Sequence, residues 1–334
     1  MDYSLLGHNT FGIDARCRRF MEYASVEEAQ EVAEALRSHA DGLLIIGGGS
    51  NLLLTADFQG TVVHSAIRGY QVTVDSGEEV LLRVGSGEVW DDVVAYCVEH
   101  GWFGAENLSH IPGEVGASAV QNIGAYGVEA CQIIDKVEAV DLTTGEWCEI
   151  AAADCQYGYR QSRFKTEWKN RFLITHVTYR LRRHAALNTS YGNIRSELER
   201  RGMPDPTLQQ LRQVIIDVRR EKLPDPKEQG NAGSFFMNPV VSREKFEQLL
   251  NDYQDMPHYH VDDEHEKIPA GWLIDQCGWK GQTLGKAGVH DRQALVLVNR
   301  GGATGADVVR LCDSIRQDVY NKFGIHIYPE VNIV

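Results

Sequence analysis

A run of apolar residues, Leu43 to Ile46, leads straight into Gly47-Gly48-Gly49-Ser50-Asn51 and on into Leu52-Leu53-Leu54, with no amphipathic helix behind it. This strand, glycine turn and second apolar segment constrain the fold more than any other stretch of the chain. A dinucleotide-binding Rossmann fingerprint needs its glycines to open a helix, and a phosphate-loop NTPase needs Gly-Lys-Ser or Gly-Lys-Thr; neither is present. Glycines so placed still expose backbone N–H groups with no side chain in the way, which suits phosphate oxygens. A second segment, Ile111 to Gly127, carries four glycines and little charge. That composition is odd for a surface loop and predicts a loop lying against something. Either segment alone is more often plain turn chemistry, but two in one β-rich half suggest a large phosphorylated cofactor.

The remaining pattern is mixed. Ser25 and Glu28 form a capping-box signature for a helix whose apolar positions Val26, Ala29, Val32, Ala33 and Leu36 recur at helical spacing. A β-rich stretch from Thr61 to Val84 precedes a second helix with Trp90, Val93, Val94, Cys97 and Val98 on one face and Gly101 at its C-terminal end. Alternation in Val137/Ala139/Asp141 and Leu173/Thr175/Val177/Tyr179 predicts antiparallel strands. A boundary is expected near Arg201 to Pro206. Beyond it the chain reads α+β, with helices near Leu208 to Glu221, after the cap Ser242, around Ala270 to Cys277, and through Val308, Val309, Cys312, Ile315 and Val319. Ile325 to Val334 reads as a closing strand.

At 334 residues and 43% hydrophobic, the chain supports two or three domains with a substantial core. A net charge of −14 without a Lys/Arg-rich block argues against nucleic acid or an anionic membrane as partner. The seven cysteines are odd in number and widely spaced with no CxxC pair, which fits reduced thiols and a cytoplasmic protein. Met1-Asp2-Tyr3-Ser4 opens no basic-then-apolar leader, and no run approaches the roughly 18 apolar residues of a membrane span. His258, His260 and His265 lack a metal-ligand spacing with carboxylates, so no metal site is expected.

The run Gln229 to Pro239 places one hydroxyl, Ser234, between glycines and aromatics in a segment too irregular for a helix. It reads either as chemistry or as a turn built by Gly230 and Gly233. Taken with Asn9-Thr10-Phe11, Gly47 to Asn51, Ile111-Pro112-Gly113, Gln121 to Gly127, Tyr159-Arg160, Phe164-Lys165, Lys222-Leu223-Pro224, Gly230 to Phe236 and Pro329-Glu330-Val331, it gives the chain an end-to-end resemblance to the UDP-N-acetylenolpyruvoylglucosamine reductase family. Tyr191-Gly192-Asn193 resembles the branch that carries a substrate-capping tyrosine loop.

The resemblance implies an α+β protein with a vanillyl-alcohol-oxidase/PCMH-type FAD-binding fold of two lobes and a C-terminal α+β substrate-binding domain. The expected bounds are a first lobe at 1–70, with a C-terminal strand, 321–334, returning to it, a second lobe at 71–205, and a substrate domain at 206–320. It also implies reduction of UDP-N-acetylglucosamine enolpyruvate to UDP-N-acetylmuramate, with NADPH as hydride donor and FAD as carrier. Gly47, Gly48, Gly49, Ser50, Asn51 and Leu52 would meet FAD, as would Ile111, Pro112, Gly113, Gly116, Ser118, Gln121, Asn122, Gly124, Ala125, Tyr126 and Gly127. These loops offer no histidine apart from His110 at their margin, so FAD is expected to be non-covalent. Arg160, Ser234 and Glu330 take the catalytic roles: carboxylate clamp, proton donor and enolate stabiliser. Tyr159, Tyr191, Lys222, Asn238, Lys280 and Gln293 would hold the substrate. Ala119 stands where many relatives carry proline, and Gln161 where an acidic residue commonly follows Tyr-Arg. A monomer is expected. The alternatives are another PCMH-type flavin oxidoreductase and a non-catalytic UDP-sugar-binding protein.

Overall fold

The computed structural model describes residues 2–37, 42–191 and 193–334. The chain divides into two compact units, Met1–Tyr3 with Cys17–Gly48 and Gln59–Glu221, and Ser4–Arg16 with Gly49–Phe58 and Lys222–Val334. Two short N-terminal segments join the C-terminal unit, and the later division falls between Glu221 and Lys222. The reason is packing. Helix Leu208–Lys222 buries Leu211, Val214, Ile215 and Val218 against Ile194 and Leu198 of helix Ile194–Arg200, an element the sequence did not reveal.

In the first unit, Leu43–Ile46 pairs in parallel with Phe58–Ser65, but all four of its residues are half-buried, not enclosed as the apolar run suggested. Helix Val26–Arg37 lays Ala29, Val32 and Ala33 on Tyr23, Val63, Val140 and Leu173. Ser25 Oγ accepts from Glu28 N at 3.1 Å, while Glu28 reaches Ala24 N at 2.7 Å, one residue earlier than an ideal capping box. A five-stranded antiparallel sheet follows in the order Trp147–Ala151, Ile134–Asp141, Phe172–Arg182, Glu79–Gly85, Tyr70–Asp75. Helix Trp90–Glu99 packs Trp90, Val93, Val94, Cys97 and Val98 with Val80, Leu82, Val84, Val177 and Tyr179 of that sheet. Each such side chain contributes about 1.5–3 kcal/mol on burial. Within the expected loop from Ile111 to Gly127, residues Val115–Gln121 are helical. Glycine, alanine and serine there let the backbone approach the sheet, where Ser118 Oγ lies 2.7 Å from Tyr179 Oη and accepts no bulkier neighbour.

In the second unit, Asn231–Ser234, Val296–Asn299, Ala287–Val289 and Thr283–Leu284 form one sheet. A smaller sheet holds Val240–Ser242, His265–Lys267 and Tyr259–Asp262. Helix Gly305–Phe323 starts at a Thr304/Asp307 capping box and buries Val308, Leu311, Cys312, Ile315 and Val319. Helix Arg243–Asp252 starts where Ser242 Oγ accepts from Lys245 N. The expected strand Ile325–Val334 is shorter than its pattern. Burial alternates through Ile325, Ile327 and Val331, but ladder pairing is confined to Asn332–Ile333, parallel to Leu52–Leu53, and a bridge between Phe236 and Pro329. Pro329 lacks the N–H that a continuous ladder would need. Among the described residues, no helix is long and apolar enough to cross a membrane.

Candidate functional site

Ser234 ends its strand at a register shift: Asn231 pairs with Val298 and Ser234 with Val296. Gly233, at φ +68°, supplies the extra residue, and Ser234 emerges exposed while Phe235 and Phe236 on either side of the next peptide are buried. The bulge is held from below. Thr10 Oγ1 donates to Asn231 O at 2.6 Å, Asn231 N donates to Thr10 O at 3.0 Å, and Asn231 Nδ2 reaches Pro224 O at 3.3 Å. Gly230 packs directly on Phe11, where an added Cβ would stand 2.2 Å from Phe11 O. Three of the sequence motifs, Asn9 to Phe11, Lys222 to Pro224 and Gly230 to Phe236, thus build one structure.

Glu330 is half-buried beside this bulge, its N–H donating to Phe235 O at 2.8 Å. Asn51 Nδ2 donates to Glu330 O at 3.4 Å, and Asn332 N donates to Asn51 O at 3.1 Å. Ser234, Glu330 and the end of the first glycine turn therefore lie together within the second unit. Asn238 and Gln293 meet the start of helix Ala270–Gln276: Asn238 Oδ1 accepts Ala270 N at 2.9 Å, and Gln293 Oε1 lies 3.1 Å from where a Cβ on Gly271 would be. Lys280 lies beyond the other end of that helix, paired with Asp275 at 3.6 Å, about 10 Å along the axis from the other two.

Arg160 belongs to the first unit. It sits in a tight turn closed by reciprocal Gly158–Gln161 backbone bonds of 3.0 Å, with φ +54°, a left-handed conformation unusual for arginine. Its guanidinium donates to Gly124 O at 2.6 Å and Asn122 O at 3.3 Å and lies 5.4 Å from the Tyr159 ring. Asn122 is fully buried, at φ +45°, and spends its side chain on Glu129, Gly158 O and Cys131 N. It shapes the turn with its backbone as well, its N–H donating to Ser118 O and its carbonyl accepting from Arg160. Tyr191 lies against Gly127, where an added Cβ would be 3.2 Å from Tyr191 Cβ; Gly192 of the same motif lies outside the described residues. Asn107 Nδ2 donates at 2.9 Å to both Tyr126 O and Asn188 O, tying the glycine-rich segment to the base of the tyrosine turn. Sequence reasoning missed Asn107 and Glu129, whose partners are recognisable only in three dimensions.

Two buried acceptors in or beside Ile111–Gly127, Gln121 Oε1 and Asn107 Oδ1, have no hydrogen-bond partner among the described residues. Orphaned acceptors next to exposed glycine backbone are what a large polar ligand would satisfy. Burial pushes the Tyr126 phenol up, with Arg219 opposing the shift. Asp91 is pushed up by burial, but His110 and Arg212 outweigh this and hold it well below the usual carboxylate range. That ion pair, 2.7 Å from Arg212 Nη1, fastens helix Leu208–Lys222 to helix Trp90–Glu99. Among the described residues, no group of three His, Cys, Asp or Glu side chains could hold a metal ion.

Comparison with known proteins gives two matching family descriptions. Residues 18–151 match an FAD binding domain, and residues 225–334 match the UDP-N-acetylenolpyruvoylglucosamine reductase C-terminal domain. The chain is 54% identical to UDP-N-acetylenolpyruvoylglucosamine reductase of Bacteroides fragilis over 99% of both chains. It is 47% identical to that of Porphyromonas gingivalis over 100% of this chain and 98% of the other. The crystal structure of UDP-N-acetylenolpyruvylglucosamine reductase from Thermus caldophilus matches with a TM-score of 0.66 at 21% identity, covering 98% of this chain and 96% of that one, and so bears on the fold alone. These matches bear out the α+β, vanillyl-alcohol-oxidase/PCMH-type FAD-binding fold expected from the sequence.

Proposed function

From the premise that the chain belongs to the UDP-N-acetylenolpyruvoylglucosamine reductase family, we propose how its residues divide the work. The protein is an FAD-dependent oxidoreductase of peptidoglycan synthesis that reduces UDP-N-acetylglucosamine enolpyruvate to UDP-N-acetylmuramate with NADPH as hydride donor. The residues present fit FAD: in the first unit, glycine backbone at Gly47, Gly48 and Gly113 to Gly127, with the orphan acceptors of Gln121 and Asn107, offers polar groups without obstructing side chains. When bound, FAD supplies hydride transfer, non-covalently, between NADPH and the terminal carbon of the enolpyruvyl double bond.

Every other step falls to the chain's own groups. Hydride arriving at the terminal carbon places negative charge on the carbon beside the substrate carboxylate. Arg160, its fork already ordered on the carbonyls of Asn122 and Gly124, pairs with that carboxylate and favours the developing enolate. Glu330 stabilises the same enolate, and Ser234 Oγ gives it a proton. The observation that carries this assignment is the bulge at Gly233, which exposes Ser234 next to Glu330. Tyr159, Tyr191, Lys222, Asn238, Lys280 and Gln293 hold the substrate through its diphosphate and carboxylate, with residues 206–320 as the substrate domain and 1–70 and 71–205 as the flavin lobes. The enzyme acts as a cytoplasmic monomer with no nucleic-acid or membrane partner.

Ser234→Ala tests the assignment directly. Followed anaerobically by absorption, NADPH should bleach the flavin at nearly the wild-type rate, while reoxidation by UDP-N-acetylglucosamine enolpyruvate slows by about 10²-fold or more, as loss of a general acid predicts. Equal loss of both half-reactions overturns the role. Rapid reoxidation by oxygen with no response to the UDP-sugar would favour a different flavin oxidoreductase.

A further inference from the structure

Strand Phe58–Ser65 turns His64 inward, 9% exposed, between two carboxylates. Its Nδ1 lies 2.9 Å from Glu22 Oε2, and its Nε2 lies 3.2 and 3.1 Å from Glu114 Oε1 and Oε2. The Phe20 ring stacks on the imidazole at 6.4 Å between centroids. Glu114 is the residue after Pro112-Gly113 and the one before helix Val115–Gln121, and its side chain is 12% exposed. Its carboxylate supports the other glycine turn. A Cβ on Gly47 would stand 3.3 Å from Glu114 Oε2, and one on Gly48 3.7 Å from Oε1. The two segments assigned to flavin therefore meet at one half-enclosed negative charge, an unexpected support for a cofactor that carries a pyrophosphate. No step of the proposed mechanism uses these groups.

With a neutral imidazole the three groups sum to two negative charges, of which one is shielded from water beneath the glycines. With an imidazolium the sum falls to one, and both ring nitrogens donate to carboxylates, the stronger form of hydrogen bond. Burial opposes the imidazolium, but Glu114 and then Glu22 outweigh it and raise His64 above its ordinary value. Tyr23, from the same strand as Glu22, is the other titratable group that feels Glu114; its hydroxyl donates to Ile174 O at 2.7 Å, and burial pushes its pKa far up, so it stays neutral.

We propose that His64 is a positioning residue for the flavin: clamped as an imidazolium between Glu22 and Glu114, it neutralises and fixes the carboxylate on which Gly47 and Gly48 rest, so that FAD binding requires a proton on this histidine. The proposal rests on the assignment of these glycine segments to FAD. Deprotonation frees a negative charge under the pyrophosphate and loosens the seat of the turn.

The test is FAD affinity of stripped protein, read by quenching of flavin fluorescence, for the wild type, His64→Gln, Glu114→Gln and the double variant between about pH 6 and 9. Wild-type affinity should fall about tenfold as the pH rises through the titration of His64, and His64→Gln should show a flat profile, about tenfold weaker than wild type at about pH 6 and converging with it at about pH 9. The double variant, which removes the unpaired charge as well, should return to within about threefold of wild type with a flat profile. Packing alone predicts instead a double variant at least as weak as His64→Gln; that result, or a flat wild-type profile, overturns the proposal. Should His64→Gln not fold, Glu114→Gln decides: retained affinity without pH dependence supports it, and a wild-type slope overturns it. A wild-type protein that takes up no FAD at any pH overturns the flavin assignment itself and this proposal with it.

Discussion

Arg160 shows how much of a functional residue is set by its immediate surroundings. Its guanidinium is oriented by two carbonyls of the glycine-rich segment, so a lysine, with a compact charge and no planar fork, cannot hold the same position. Arg160→Lys should lower kcat/KM by about 10²-fold, measured by substrate-dependent NADPH oxidation, and wild-type turnover would remove the carboxylate contact. Histidines elsewhere tie stability to pH in opposite senses. His176 is pushed down to about 4 by burial and by Arg83, which donates to its Nδ1 at 2.9 Å and so requires the neutral ring. The unfolded chain takes up that proton first, so stability is full above about 6.5 and is lost as the pH falls toward 4. His64, shifted up, contributes stability present below its ordinary value and lost as the pH rises through its folded value. A scan of Tm against pH for His176→Gln should show less acid loss than the wild type; an unchanged acid limb would mean the histidine does not drive it. The residues proposed for catalysis were picked out because motifs name them. The His64–Glu114 pair was not, since its members are 50 positions apart and neither sits in a pattern.

Periodicity made most elements readable, and its failures have local causes. Helix Val26–Arg37 carries a complete apolar stripe and a cap, and both were visible. Helix Val115–Gln121 has no stripe, because Gly116, Ala117, Ser118 and Ala119 are selected for close approach to the sheet, not for hydrophobic contrast. The tail from Ile325 alternates well enough to suggest a full strand, yet alternation reports burial on one face and says nothing of whether a neighbour is there to bond. Two predictions belong here. Ser242→Ala removes the acceptor for Lys245 N and should lower stability by about 1 kcal/mol in denaturant titration. Gly230→Ala drives a Cβ into Phe11 O and should shift the Ser234 bulge, weakening turnover as well as lowering Tm by several degrees, in contrast to the cap variant, which should leave turnover alone. Equal turnover in both would show that the bulge tolerates the shift.

The chain as a whole passes between its two compact units several times: residues Ser4–Arg16 and Gly49–Phe58 belong with Lys222–Val334. That Ser4–Arg16 and Gly49–Phe58 leave their neighbours was not legible, because periodicity divides a chain into stretches without showing where each one docks. A fragment beginning at Lys222 would lack Phe11, which is fully buried against Phe235, and the strand Leu52–Leu53 that pairs with Asn332–Ile333. Expressed alone, such a fragment should fail to give a cooperative melting transition, and one that melts cooperatively would show the two segments to be dispensable. FAD at about 100 times its Kd should stabilise the intact protein by about 2.7 kcal/mol, visible as a concentration-dependent Tm. The same threading has a consequence for biosynthesis. Leu5, Phe11 and Ile13 leave the ribosome roughly 200 residues ahead of the strands that enclose them, an interval of about 10–40 s at ordinary elongation rates. For that time a nascent polypeptide trails an unsatisfied greasy hook whose partners have yet to be made.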